Sequence, residues 1–240
     1  MNQTGRHSKK RKRKMVKKSR YYRERQLRIL YIGIGAGILL LILILSFGLV
    51  IFSTQFWGSE GKGTISIVIA NAAIVSFFSS IFAGSSTSYF ASKFKTEQIL
   101  LYSYVWSVVT GICVPVVFSF TEIQSDFLIH LIGISIFSGL LSVNTNLFIG
   151  KRNIKMFNIY TVLQQLLHVI FLFGIIFLFK LKDVSAYFLA QIICLAVLFL
   201  TSLSQILENC KISSFTFSKE VFKNMFDYGW KNQLSALIQF

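Results

Sequence analysis

From Trp57 to Phe94 the chain reads WGSEGKGTISIVIANAAIVSFFSSIFAGSSTSYFASKF, and no charged residue falls between Lys62 and Lys93. A run of that kind, held as a helix, is long enough to cross the roughly 30 Å hydrocarbon core of a bilayer. It opens on a Gly-rich turn and carries a seam of small and polar groups: Asn71, Ser76, Ser79, Ser80 and Gly84. Polar groups at membrane depth generally face other helices or water rather than lipid. The rest of the chain repeats this arrangement of apolar runs punctuated by short charged loops.

Composition agrees. Of 240 residues, 54% are hydrophobic and 14% charged, and the mean hydropathy is +0.63. Soluble domains carry about 25% charged residues, so this chain lacks the polar surface to cover a globule and needs lipid as solvent. The fold class that follows is all-α: a polytopic transmembrane helix bundle of six spans plus the start of a seventh.

The net charge of +16 is concentrated at one end. Residues 1–28 form a basic arm holding thirteen Lys or Arg, from Arg6 to Arg28, against the single acid Glu24. Placed directly before an apolar run, such an arm is drawn to anionic inner-leaflet lipids by about 1 kcal/mol per residue. It also fixes the N-terminus in the cytoplasm. This reading is preferred to nucleic-acid binding. The first apolar run is far longer than the apolar region of a signal peptide, about 7–15 residues, and has no small-x-small cleavage site.

In order, the expected spans are Ile29–Ser53, Gly63–Phe90, Gln98–Phe120, Phe127–Gly150, Met156–Phe179 and Ser185–Leu207, making a six-helix lobe over 29–207. An outer turn is expected at Gln55–Lys62 and an acidic outer loop at Thr121–Asp126. Pro115 should bend the third span. Gly33 and Gly37 make a G-x-x-x-G face suited to close helix contact. A cytoplasmic or interfacial linker is expected over 208–228, and 229–240 reads as the start of a further transmembrane helix. Inner loops then hold Lys93, Lys95, Lys151, Arg152, Lys155, Lys211, Lys219 and Lys223, and outer loops only Lys62, Lys180 and Lys182. That asymmetry fits an N-inside start.

No chemistry-bearing motif is present. The nine acidic residues lie almost entirely in loops, and no zinc, nucleophile-elbow or phosphate-loop pattern occurs. Neither enzymatic activity nor a cofactor or metal is expected. Cys113, Cys194 and Cys210 lack metal-like spacing. What stands out is polar groups inside spans: Asn71, Asn144, Asn146, Gln164, Gln165 and His168, candidates for lining a substrate path. Gln164, Gln165 and His168 share one face of the fifth span at i, i+1, i+4. Interhelical hydrogen bonding and cavity lining are both open to them. Lys93, Lys95, Lys151, Arg152 and Lys155 are candidate cations for a cytoplasmic mouth.

WGSEGKGTIS followed by AGSSTSYFAS, then GKRNIKMFNIYTVLQQLLHVIF, then MFDYGWKNQLSALIQF, taken in that order, resembles the polysaccharide biosynthesis flippases. These include the Wzx-type flippases of the multidrug/oligosaccharidyl-lipid/polysaccharide exporter superfamily. Trp230 and Lys231 stand where that family often has Leu-Pro. The resemblance implies two six-helix lobes, of which this chain would be the N-terminal one, with alternating access in the bacterial inner membrane. It implies an undecaprenyl-diphosphate-linked oligosaccharide as cargo. A drug or ion antiporter of the same superfamily, which needs a membrane-embedded carboxylate, and a non-transporting membrane scaffold are the alternatives. In a scaffold Asn71, Asn144 and Gln164 would be packed and inaccessible.

Overall fold

The structure, a computed structural model, describes residues 4–120, 127–208 and 218–238, with side-chain surroundings described at Gly37 and from Leu39 onward. The charged side chains of the basic arm, the loop Thr121–Asp126 and Lys211 lie outside these. The elements are α1 (Thr4–Ala83), α2 (Ser85–Phe90), α3 (Thr96–Ser119), α4 (Leu128–Gly150), α5 (Ile154–Leu178), α6 (Ser185–Leu207) and α7 (Lys219–Ile238). No strand occurs among the described residues.

Among the described residues five segments are long and apolar enough to cross a membrane, so the chain is a multi-pass helical membrane protein. The first of them, Leu39–Phe90, has 52 residues. As one straight helix it would measure about 78 Å, more than twice the hydrocarbon thickness. It is not straight. Gly58 departs from helical geometry at φ 71°, ψ −172°, a region open essentially to glycine alone. Residues 55–62, expected as a turn, are otherwise helical. A Cβ on Gly61 would fall 2.5 Å from the Trp57 Cβ, whereas residues one turn apart in a regular helix keep about 5–6 Å between them. The chain therefore bends sharply at Gly58.

Contacts divide the chain into two compact units, one up to Phe47 and one from Gly48 to Phe240. In the first, most of the described apolar side chains, among them Leu39, Leu43, Ile44 and Phe47, are exposed, as expected of a surface solvated by lipid. A Cβ at Gly37 would meet nothing within 4 Å among the described residues.

The second unit has its main core among α3, α4, α5 and α6 and the part of α1 beyond the bend, built on Val68, Ile134, Leu141, Leu172, Phe188 and Leu195. Helices in lipid gain little from apolar burial and associate by close packing, which small residues permit. Gly111 lies against Ile136, and Gly139 against Ser79 and Ser107. α3 runs without interruption through Pro115, which is buried. The outward faces stay apolar: Ile129 is 76% exposed and Phe177 68%, an area that water would not tolerate on a monomer.

A second core joins α7 to the end of α1 and to α3, through Ile81, Phe82, Phe90, Ile99, Tyr102, Val221 and Met225. The expected boundary between linker and span at 228/229 falls inside α7, which is continuous from Lys219 to Ile238. Val221, Met225 and Gly229 make its buried stripe, at a four-residue spacing that one helix face requires. Replacing Gly58 with Ala is expected to destabilise the chain by about 1–3 kcal/mol, measured as a lowered unfolding midpoint in detergent micelles. An unchanged midpoint would mean that the bend is not fixed by this residue.

Candidate functional site

The interior polar groups are tied to one another and to broken backbone. Gly84 interrupts the helix between α1 and α2, leaving the Ala83 carbonyl without a helical partner. Asn146 Nδ2 donates to that carbonyl at 2.9 Å, and Ser142 Oγ does so at 3.3 Å. Thr87 Oγ1 donates to the Phe82 carbonyl at 2.6 Å and lies 3.0 Å from Ser103 Oγ. Ser86 Oγ donates to the Met225 carbonyl at 2.8 Å. An orphaned backbone group in hydrocarbon costs several kcal/mol, so these side chains make the break possible.

Asn144 is fully buried and bonded on both sides. The Tyr104 hydroxyl donates to its Oδ1, and its Nδ2 donates to Ser202 Oγ at 2.7 Å. Ser202 in turn donates to the Phe199 carbonyl at 2.9 Å. This directed chain joins α3, α4 and α6 at one level. Asn146 and Asn144, read from the sequence as path candidates, thus hold helices together in this structure. Neither Tyr104 nor Ser202 carried a signal in the sequence beyond being polar in an apolar run.

The fifth-span face is divided. His168 is 7% exposed, meets the Tyr187 ring at 4.8 Å, and has no hydrogen-bond partner for Nε2 among the described residues. Gln164 and Gln165 are half-buried, and the Gln164 carbonyl accepts from Cys194 Sγ at 3.3 Å. Asn71 is half-buried as well.

The cationic candidates gather at one end. Gly150, the last residue of α4, packs against Ser88 and Ala91, which brings the α4–α5 turn beside the segment bearing Lys93 and Lys95. That turn is three residues long. Arg152 takes φ 60°, its N–H reaches the Ile149 carbonyl at 2.9 Å, and the Asn153 N–H reaches the Phe148 carbonyl at 2.8 Å. These two bonds make the Schellman close of a helix, with Arg where glycine is usual. The Asn153 side chain then caps α5 by accepting from the Met156 N–H at 3.4 Å. Lys155 sits exposed in the first turn of α5, where the helix dipole disfavours a cation by about 0.3–1 kcal/mol. Neither Arg152 nor Lys155 is what local backbone physics would select.

Two open cavities lie at this end. One, of about 490 Å³, is lined by Phe148, Lys151, Asn153, Met156, Gln205 and Glu208, among others. The other, of about 340 Å³, lies between α2 and α7 and includes Lys93, Asp227 and Lys231. Gln164, Gln165 and His168 line neither. Of the five cationic candidates, Lys93 and Lys151 line these partly apolar clefts, and Lys95, Arg152 and Lys155 line neither. Lys62, Lys180 and Lys182 belong elsewhere: the Trp57 indole N–H donates to the Lys182 carbonyl at 2.8 Å, joining the bend at Gly58 to the α5–α6 loop.

The chain matches no family model, no curated protein and no solved structure.

Arg152→Gly is expected to stabilise the chain by about 1 kcal/mol, by relieving the left-handed backbone of a residue with a Cβ. A higher midpoint of thermal unfolding in detergent is the readout. A lower one would mean that the guanidinium itself holds the turn.

Proposed function

We propose that the chain is the N-terminal lobe of a lipid-linked oligosaccharide flippase of the bacterial inner membrane. Six spans result when Leu39–Phe90 crosses twice about Gly58, with the N-terminus cytoplasmic. Lys93, Lys95, Lys151, Arg152 and Lys155 then stand on the cytoplasmic side, where the cargo's diphosphate would first be met. The basic arm rests on anionic inner-leaflet lipids. The cargo, by resemblance, is an undecaprenyl-diphosphate-linked oligosaccharide, carried by rocking of two lobes about a site near the bilayer midplane.

The observation that carries this reading is the convergence of the stretches that bear the resemblance. AGSSTSYF forms the break and α2. Gly150, which opens GKRNIK, abuts the Ser88 carbonyl, and Gly229 of DYGW abuts the Ile81 carbonyl. Two sequence-distant motifs therefore reach the break and α2, each through a glycine too crowded for a side chain.

One observation favours a second reading, the non-transporting membrane scaffold. Asn144 is sealed and bonded at both ends of its amide, as a scaffold requires. Asn71 and Gln164 are only half-buried, which leaves the flippase reading in front.

Deleting the gene separates the two. The flippase reading expects lipid-linked oligosaccharide to accumulate in the cytoplasmic leaflet while surface polysaccharide falls severalfold. Normal surface polysaccharide with normal lipid-linked pools would contradict it and leave the scaffold.

A further inference from the structure

The groove between α2 and α7 shares only Lys93 with the cationic candidates of the cytoplasmic mouth. Its floor is a pair of tyrosines, Tyr89 and Tyr228, with ring centroids 4.4 Å apart and planes 8° from parallel. Tyr228 also meets Phe90 edge-on at 5.7 Å. Lys93 Nζ donates to the Tyr89 hydroxyl at 2.5 Å and sits 3.9 Å from the centre of that ring, so its ammonium is held over the groove rather than swinging freely. The far wall is α7, which contributes Asn224, Asp227, Tyr228 and Lys231. These fall at i, i+3, i+4 and i+7, a single helix face.

The wall is fixed in place. Tyr102 bonds both the carbonyl and the N–H of Ser218, Ser86 bonds Met225 at 2.8 Å, and Asn232 Nδ2 bonds Ser85 Oγ at 2.7 Å. Phe82 lies 5.2 Å from Phe222 by ring centroids. The groove is therefore preformed, and an occupant would not have to order α7. Its charges remain unspent: neither Asp227 nor Lys231 forms an ion pair among the described residues. Immediately beyond, α7 exposes Trp230, Leu234 and Leu237 at i, i+4, i+7, an apolar stripe continuous with the polar face.

We propose that this groove holds the headgroup of an aminophospholipid. The phosphodiester sits between the ammonium groups of Lys93 and Lys231. The primary amine of the headgroup goes to the Asp227 carboxylate. The acyl chains follow the exposed Trp230, Leu234 and Leu237. Paired tyrosines with lysines beside them are the composition of an interfacial belt, where an apolar body and a polar tip are both solvated. Two cations alone would suit any anionic lipid. An acid on the same face makes the site disfavour a headgroup whose far end is a neutral polyol and favour one that ends in an ammonium. A free phosphate would satisfy the lysines and leave both Asp227 and the apolar stripe unused.

The test is native mass spectrometry of the full chain released from detergent. It is run with phosphatidylethanolamine or phosphatidylglycerol of identical acyl chains, and separately with inorganic phosphate as competitor. Wild type is expected to retain phosphatidylethanolamine severalfold better than phosphatidylglycerol, and phosphate at equal concentration should not displace it. Asp227→Asn is expected to abolish that preference. The exposed pair Lys93→Gln/Lys231→Gln is expected to lose about tenfold in retention of both lipids, with unchanged helix content and unfolding midpoint. Equal retention of the two lipids by wild type, an unaltered preference in Asp227→Asn, or displacement by phosphate alone would each overturn the proposal.

Discussion

The Ala83 carbonyl is the group on which one end of the helix bundle depends. Hydrocarbon offers no water to satisfy a carbonyl that a helix has released, and Gly84 releases this one. Asn146 and Ser142 reach it from α4. Once α4 is committed there, Gly150 falls against Ser88 and Ala91, and the α4–α5 turn with its cations is fixed beside Lys93 and Lys95. α7 then closes over the same break through Ser86, Ile81 and Phe82. A single interruption of one helix thus organises three others, and the short helix α2 is its consequence.

The apolar spans were legible because lipid imposes a length and a hydropathy that sequence displays directly. Expected Phe127–Gly150 and observed Leu128–Gly150 differ by one residue, and Ser185–Leu207 agrees at both ends. What composition could not display was the status of residues that are helical without being uniformly apolar. Lys219, Lys223 and Asp227 make the first half of α7 read as part of a linker, yet Val221, Met225 and Gly229 recur every fourth position and find a surface to bury against. The separation of α2 from α1 was hidden too, because a helix break that side chains satisfy leaves no loop in the sequence.

The candidate site was legible by residue type and not by role. Asn144 and Asn146 stand out in the sequence as polar groups in an apolar run, but which partners they meet is a tertiary fact. Tyr104, Ser202 and a backbone carbonyl are chosen by helix packing rather than by local pattern. The cations were easier, since charge at a span end is visible in the chain itself. Their chemical interest emerged only with geometry: Arg152 occupies a left-handed position and Lys155 the unfavourable end of a helix dipole. Neither of them lines the two clefts, which take Lys151 and Lys93 instead.

In the proposed flippase lobe the chain crosses the membrane on both sides of Gly58 and keeps its cations on the cytoplasmic face. Single cysteines replacing Lys62 or Lys155 in a background lacking Cys113, Cys194 and Cys210, probed with a membrane-impermeant maleimide, test this most directly. In intact cells Lys62→Cys should label at once, and Lys155→Cys only after permeabilisation. Labelling of both from the same side would contradict the account.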